Sequence, residues 1–281
     1  MVTVAQALAW AMARGLDRLD AQLLVLHALG RGEHDRAWLL AHDTDALADS
    51  VHTTLHATAG RRAAGEPLAY ITGHKEFYGL DLMVDARVLV PRPDTETLVD
   101  WALELLLPAP NGRVIDLGTG SGAISLALKH TRPDLEVSAV DFSTKALTVA
   151  QANAQRLQLD VQWAQGSWLS GVTGHFNLIV SNPPYIEEAD AHLSALTHEP
   201  LQALTSGADG LDDIRTIITQ APAHLLPSGW LLLEHGYDQA AAVRALLTAA
   251  DLQDVQSRRD LAGIERCSGG CWRPFLAGAK G

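Results

Sequence analysis

From Arg113 onward the chain alternates between short apolar runs and longer amphipathic stretches. "RVIDLG", "EVSAVDFS", "VQWAQGS", "FNLIVSN" and "GWLLLEHG" predict short buried strands. "SGAISLALKH", "TKALTVAQANAQRLQ", "IRTIITQAPAHLL" and "QAAAVRALLTAA" carry apolar residues at helical spacing. "DVQSRRDL" and "ERCSGGCWRPFL" predict two last strands that can pair with each other. This alternation predicts an α/β fold, with an open, mostly parallel sheet and helices on both faces. Ligands of such sheets bind beyond the carboxyl ends of the strands.

Upstream the pattern differs. "VAQALAWAMARG", "DAQLLVLHALG", "DRAWLLAHD" and "LADSVHTTLHATAGRRAAG" repeat Leu, Val, Trp and Ala at helical spacing, which predicts a helical bundle over residues 1–73. Gly15, Gly30 and Gly60 fall where helix C-terminal caps are expected. Ile71 to Val90 is rich in aromatic and β-branched residues, with turn-like Gly73 and Gly79, and predicts a β-hairpin or two short strands. Pro91-Arg92-Pro93 interrupts the chain, and Asp94 and Glu96 then stand in a helix's first turn. The expected organisation is a helical domain over 1–73, a hairpin connector over 74–92 and an α/β domain over 93–281.

Composition narrows the function. The formal charge of −12 comes with no basic stripe, which argues against a nucleic-acid binder and fits a small-molecule or protein substrate. The two cysteines, Cys267 and Cys271, exclude a disulfide scaffold and point to a reducing cytoplasm. Neither they nor His52 and His56, four apart on one helix, have a further ligand nearby, so no metal is expected. No leader pattern opens the chain, and no apolar run reaches the ~18 residues of a membrane span. A cytoplasmic protein is expected.

Two constellations carry chemistry. In "VIDLGTGSGAISLAL", Gly118, Gly120 and Gly122 lie between a strand and a helix, where glycine admits positive φ and close approach of a ligand. The spacing is neither G-x-G-x-x-G nor a P-loop. Roughly twenty residues on, the next strand closes on Asp141, placed to accept hydrogen bonds from ribose hydroxyls. Strand, loop, helix, strand and terminal acid predict a nucleoside cofactor; NAD and S-adenosylmethionine both fit. The second constellation is "SNPPY". The apolar run Leu178-Ile179-Val180 leads into Asn182, and Pro183-Pro184 ends the ladder because neither has an N–H to give. Asn182 thus stands beyond a carboxyl end, near the glycine loop.

Asn182-Pro183-Pro184-Tyr185 resembles the motif of methyltransferases that use S-adenosylmethionine on planar nitrogens, and "DLGTGSG" resembles their cofactor loop. Over nearly its whole length the chain is similar to the release factor protein-(glutamine-N5) methyltransferases of the HemK/PrmC family. "EPLAYITGHKEFYGLDLMVDARVLVPRPDTE", "EPLQAL", "GADGLD" and "LEHGYDQ" carry this narrower likeness. The resemblance implies a Rossmann-like methyltransferase fold behind an N-terminal helical domain that recognises the protein substrate. It implies S-adenosylmethionine as cofactor, S-adenosylhomocysteine as product, and peptide chain release factors as partners, methylated on the glutamine of their Gly-Gly-Gln motif. A monomer without nucleic acid or membrane is expected. By the same resemblance Gly118, Thr119, Gly120, Ser121, Gly122, Asp141, Trp168 and Asn182 bind the cofactor. Asn182, Pro183, Pro184 and Tyr185 bind the substrate, with Asn182, Pro183 and Tyr185 catalytic. Arg92 and Glu96 lie near the substrate entrance or the methionine end. The glycine-rich "ERCSGGCWRPF" departs from the smoother last strands of that family, which bears on the final hairpin's regularity, not on the site.

The chemistry of the residues agrees. An amide nitrogen is a weak nucleophile with two N–H donors. The Asn182 side-chain oxygen and the Pro183 carbonyl can accept one each. Tyr185 can pack its ring on the flat amide. Positioning replaces a strong base. The alternatives are a glutamine methyltransferase of a ribosomal protein, an amino methyltransferase of an rRNA or DNA base, and a non-catalytic module. The acidic balance disfavours the base-directed enzyme, "PRPDTE" the ribosomal one, and the intact motifs the module.

Overall fold

The computed structural model describes residues 2–274. The chain divides into two compact units, Met1–His74 and Lys75–Gly281. In the first unit α1 (Val4–Met12), α2 (Arg18–Ala28), α3 (Arg36–Ala41), α4 (Asp49–Ala63) and α5 (Leu68–Thr72) surround one apolar core, with Val4, Leu24, Leu39, Leu55 and Ile71 inside. Thr3 and Gln6 close a reciprocal capping box on α1, and the Asp17 carboxylate accepts from Asp20 N at the start of α2. Gly60, expected at a helix end, lies inside α4, where packing of Leu55 and Ala59 carries the helix through it.

The stretch from Ile71 to Val90 is not all extended. Ile71 and Thr72 complete α5, which Gly73 ends at φ 80 in the left-handed region. The hairpin is β1 (His74–Phe77) and β2 (Leu80–Met83). Tyr78 (φ 51) and Gly79 (φ 76) form its two-residue turn, the paired positive φ values that suit the twist of the strands.

The second unit continues with α6 (Glu96–Leu106), β3 (Arg113–Leu117), α7 (Ala123–Thr131), β4 (Glu136–Asp141), α8 (Thr144–Leu157), β5 (Gln162–Gln165) and β6 (Phe176–Ser181). It ends with α9 (Asp212–Gln220), β7 (Leu225–Glu234), α10 (Ala240–Ala249), β8 (Gln253–Arg259) and β9 (Glu265–Cys271). The sheet order is β5-β4-β3-β6-β7-β9-β8; β5 to β7 are parallel, and β9 is antiparallel to both its neighbours. Alternate residues of the central strands face opposite ways. Val114, Leu178, Val180 and Leu232 pack with α6, α7 and α8, while Ile115, Leu117, Ile179, Leu231 and Leu233 pack with α9 and α10.

Two strand boundaries shift from expectation. Pro222 lies in a tight turn that ends the predicted helix, and β7 starts early, at Leu225, before an irregularity opposite Phe176 and Leu178. The last two strands do pair, with β9 set between β7 and β8. Its glycines are required by packing. A Cβ at Gly269 would meet Leu232 Cδ2 at 2.4 Å, and one at Gly270 would meet Leu252 Cβ at 2.9 Å. The expected strand ran on through Phe275 and Leu276, which lie outside the described residues.

Candidate active site

The chain turns outward from β3 to β4 and β5, then returns to place β6 on the other side of β3. This reversal opens a crevice at the strand ends. The register fixes what meets there. Leu117 pairs with Ser181 and with Val140, and Ser181 pairs with Leu233. One residue further along each strand, Asp141, Gly118, Asn182 and Glu234 stand side by side across four strands.

Gly118 and Gly120 hold φ values of 70 and 57, so the loop turns back under β4. Gly120 N donates to Asp141 Oδ2 at 2.8 Å, and Ser143 N donates to Asp141 Oδ1 at 2.8 Å. Each carboxylate oxygen keeps a free lone pair. Burial raises the Asp141 pKa against these two amide bonds. Thr119 and Ser121 are buried: Thr119 Oγ1 donates to Asp116 Oδ2 at 2.6 Å, and the Ser121 carbonyl accepts from Asn153 Nδ2 at 3.0 Å. Asn153 also bonds both backbone groups of Met83, which ties the loop to the hairpin. Gly122 starts α7 at φ 86, where a Cβ would meet Leu126 Cδ1 at 2.9 Å.

Two cavities flank the strand ends. The first, of about 930 Å³ including its open mouth, is lined by Gly118, Gly120, Asp141, Phe142, Trp168, Asn182 and Pro184, among others. Trp168, at φ 54, closes one wall, and its ring is 3.2 Å from where a Gly118 Cβ would be. The second, of about 490 Å³, is lined by Arg92, Pro183, Tyr185, Ile186, Leu196 and Leu204, and again by Asn182. The residues after Asn182 therefore alternate between cavities: Pro183 and Tyr185 border the second, Pro184 the first. Thr119, Ser121 and Gly122 border neither; they shape the loop from below.

The turn is held from outside. Gln239 Nε2 donates to the Tyr185 carbonyl at 2.9 Å, and Ile186 N donates to Leu204 O at 2.9 Å. Gly210 leaves room for the first of these contacts, since a Cβ there would lie 2.2 Å from Tyr185 O. This accounts for "GADGLD", "EPLQAL" and "GYDQ" as supports of the Asn-Pro-Pro-Tyr turn. Glu199, buried, accepts from Val90 N at 3.1 Å and from Arg92 Nη2 at 2.5 Å, which braces the segment over the cavities. Glu96 borders neither cavity; its Oε1 accepts from Tyr78 N.

Known proteins resemble this chain. The family described as Methyltransferase small domain matches residues 95–208, and the PrmC N-terminal domain matches residues 6–73. A release factor glutamine methyltransferase of Bordetella pertussis is 50% identical over 260 residues, covering 91% of this chain and 95% of that protein. Another from Xylella fastidiosa (strain Temecula1) is 47% identical over 268 residues, covering 94% of this chain and 96% of that one. The chain belongs to the release factor glutamine methyltransferases. Its fold is also that of a Thermus thermophilus 16S rRNA N2 G1207 methyltransferase solved with AdoMet and guanosine. That likeness has a TM-score of 0.54 at 20% identity and covers 71% of this chain and 50% of that one.

In this glutamine methyltransferase several site residues were not evident from sequence. Phe142 lines the first cavity and is 70% exposed beside Asp141. Asp213 Oδ1 accepts from Trp168 Nε1 at 3.1 Å. Thr95 Oγ1 accepts from Asn182 Nδ2 at 3.2 Å. Glu234 is buried beside both, and burial pushes its carboxyl up to about 7 while the Thr95 and Asn182 side chains oppose the shift. A signal for Glu234 existed: like Asp141, it is an acid closing an apolar strand. Burial, followed by the Glu234 charge, raises the Tyr185 phenol far above its ordinary range, so Tyr185 stays neutral. Cys267 and Cys271 are buried thiols on β9. Among the described residues no helix is long and apolar enough to cross a membrane, and no group of three or more His, Cys, Asp or Glu could hold a metal.

Proposed function

We propose that this chain transfers a methyl group from S-adenosylmethionine to the side-chain amide nitrogen of the glutamine in the Gly-Gly-Gln motif of peptide chain release factors. The observation that carries the reading is the pair of cavities that meet at Asn182. Family membership supplies the acceptor: both relatives above carry release factor glutamine methylation in their names.

The first cavity fits the cofactor. Its glycine floor would lose its shape to a Cβ at Gly118, and Asp141 keeps acceptor capacity for ribose hydroxyls. Trp168 and Phe142 offer aromatic surface for a base. Gly118, Gly120, Asp141, Trp168 and Asn182 hold the cofactor in this reading; Thr119, Ser121 and Gly122 fix the loop. Bound there, S-adenosylmethionine supplies an electrophilic methyl group on a sulfonium.

The chain's own residues then hold the acceptor. Asn182 Oδ1 and the Pro183 carbonyl each accept one N–H of the glutamine amide, so its nitrogen faces the first cavity. Neither Pro183 nor Pro184 has an N–H that could bind the amide oxygen in the wrong sense. The neutral Tyr185 forms an apolar wall and is no base. As the methyl leaves sulfur for nitrogen, the N-methylated amide becomes strongly acidic and sheds its proton to water, so catalysis is positioning and hydrogen bonding. The helical unit recognises the release factor.

The test is methyl transfer from labelled S-adenosylmethionine to a release factor, a ribosomal protein or rRNA. Labelling of the release factor that disappears when its Gly-Gly-Gln glutamine is changed to Ala is expected. Labelling confined to RNA or to the ribosomal protein would overturn the proposal.

A further inference from the structure

Three side chains from three separate elements meet behind the Asn-Pro-Pro-Tyr turn. Thr95 ends the short turn before α6, Asn182 follows β6 and Glu234 ends β7. Thr95 is 3% exposed and Glu234 is 1% exposed. Asn182 Nδ2 donates to Thr95 Oγ1 at 3.2 Å. A hydroxyl that accepts still has one proton to place. The Glu234 carboxyl lies beside both side chains, and both act against the effect of burial on it. The hydrogen bond runs from Asn182 to Thr95, with Glu234 the buried carboxyl next to the pair.

The remaining features around Glu234 agree. The described residues provide it no ion pair: Arg266, the nearby cation, is engaged by Asp260 at 3.2 Å and by Asp94 at 3.6 Å. Its Oε2 has no hydrogen-bond partner. A lone buried carboxyl of this kind costs stability. A fold that needed only bulk at this place would be better served by an apolar residue.

The two ends of an asparagine amide have nearly the same shape and opposite hydrogen-bonding roles. Shape alone cannot decide which end faces the cavities. A carboxylate does: with Oδ1 turned toward Glu234, two acceptors would face each other. With Nδ2 turned inward, one N–H is used on Thr95 and the donor end of the amide lies on the Glu234 side. Oδ1 is then the end left for an acceptor amide.

We propose that Thr95 and Glu234 are positioning residues which orient the Asn182 amide, holding Oδ1 toward the glutamine nitrogen. The inference rests on the function proposed above. It goes beyond it by assigning the specificity for an N–H donor substrate to a buried pair that touches neither substrate nor cofactor. The ionised carboxylate enforces this orientation outright; the neutral acid keeps it when its proton sits on Oε2 and Oε1 accepts.

The test compares removal of the hydrogen-bonding group with its conservative replacement. Thr95→Val and Glu234→Met remove it and roughly keep the volume, whereas Thr95→Ser and Glu234→Gln keep an acceptor or donor in place. With a release factor as substrate, Thr95→Val and Glu234→Met are expected to lower kcat about 10- to 100-fold, the scale on which misplacing a reacting group acts. Thr95→Ser and Glu234→Gln are expected to stay within about threefold of wild type. S-adenosylmethionine Kd, measured by calorimetry, is expected to stay within about threefold in all four. Thermal melts check folding, and if Glu234→Met does not fold, the Thr95 pair decides. Wild-type kcat in Thr95→Val overturns the inference, as does a fall in Thr95→Ser equal to that in Thr95→Val. Asn182→Ala, run alongside, separates the two levels. Its loss of turnover beside an unaffected Thr95→Val rejects only the orienting pair, while wild-type turnover in Asn182→Ala rejects the functional reading itself.

Discussion

The indole of Trp168 is tethered to Asp213: Nε1 donates to Oδ1 at 3.1 Å, across 45 residues of chain. Asp213 is itself fixed by Ser206, whose hydroxyl donates to Oδ2 at 2.7 Å and accepts from Asp213 N at 2.8 Å. The wall of the first cavity is therefore set by the first turn of α9. Asp213→Ala releases the ring. One such bond contributes about 1 kcal/mol, so S-adenosylmethionine Kd should rise roughly five- to tenfold. Titration calorimetry reads this directly, and an unchanged Kd would show that Trp168 needs no tether.

Gly118 tests the opposite side of the same wall. Its φ of 70 already disfavours a side chain, and a Cβ would be 3.2 Å from Trp168 Cζ3. Gly118→Ala should cost about 1 kcal/mol or more of stability and weaken donor binding at least about tenfold. Denaturant melts and calorimetry measure the two parts. Wild-type affinity in a folded Gly118→Ala protein would place the cofactor elsewhere.

Filling one cavity should leave the other intact. Leu196 lines the second cavity and does not line the first. Leu196→Trp is expected to suppress release factor methylation by at least about 100-fold while S-adenosylmethionine Kd changes less than about threefold. Equal losses in both readouts would mean that the cavities are not separate.

Glu234 gives the fold a defined pH response. Burial keeps its carboxyl protonated up to about 7, against 4.5 in an unfolded chain. Asp94 pushes in the same direction as burial, while Arg266, Thr95 and Asn182 oppose it; Tyr185 and Cys267 are also within its field. Between the two pKa values the folded protein holds a proton that the unfolded chain has released. Stability from this group is full below 4.5 and is lost as pH rises through about 7. The size is on the order of 3 kcal/mol. Glu234→Gln removes the titration. The stability of wild type minus that of Glu234→Gln should therefore fall between pH ~4.5 and ~7 in urea melts. A difference that stays flat, or rises, contradicts a protonated Glu234 in the fold.

Much of the catalytic unit could be read from the chain because its signals are local. "RVIDLG" and "FNLIVSN" are apolar on both faces, as buried parallel strands must be, and glycine or proline marks where each one stops. Asn182, Gly118 and Asp141 could be placed at strand ends for that reason. What stayed hidden depends on sheet order. Glu234 matters because β7 lies beside β6, and β9 enters between β7 and β8, which no local pattern records. Thr95 reaches Asn182 across 87 residues. Thr119 and Ser121 look like cofactor ligands in the motif, yet their neighbours turn them into the loop's own scaffold. Leu225 and Leu226 read as the end of a helix, because the pairing that recruits them into β7 is with Phe176, on a different strand.

The alternation of Pro183, Pro184 and Tyr185 between the two cavities has an evolutionary consequence. In the function proposed above, the side that handles the methyl donor and the side that chooses the acceptor meet at Leu89, Asn182 and Ala203, which line both cavities. Substitutions at Ile186, Leu196 or Leu204 can therefore accumulate without disturbing the glycine loop, Asp141 or Trp168. The donor half is free to be inherited unchanged while the acceptor half drifts. On that reading, a change of target can begin at side chains that do not touch the cofactor's cavity.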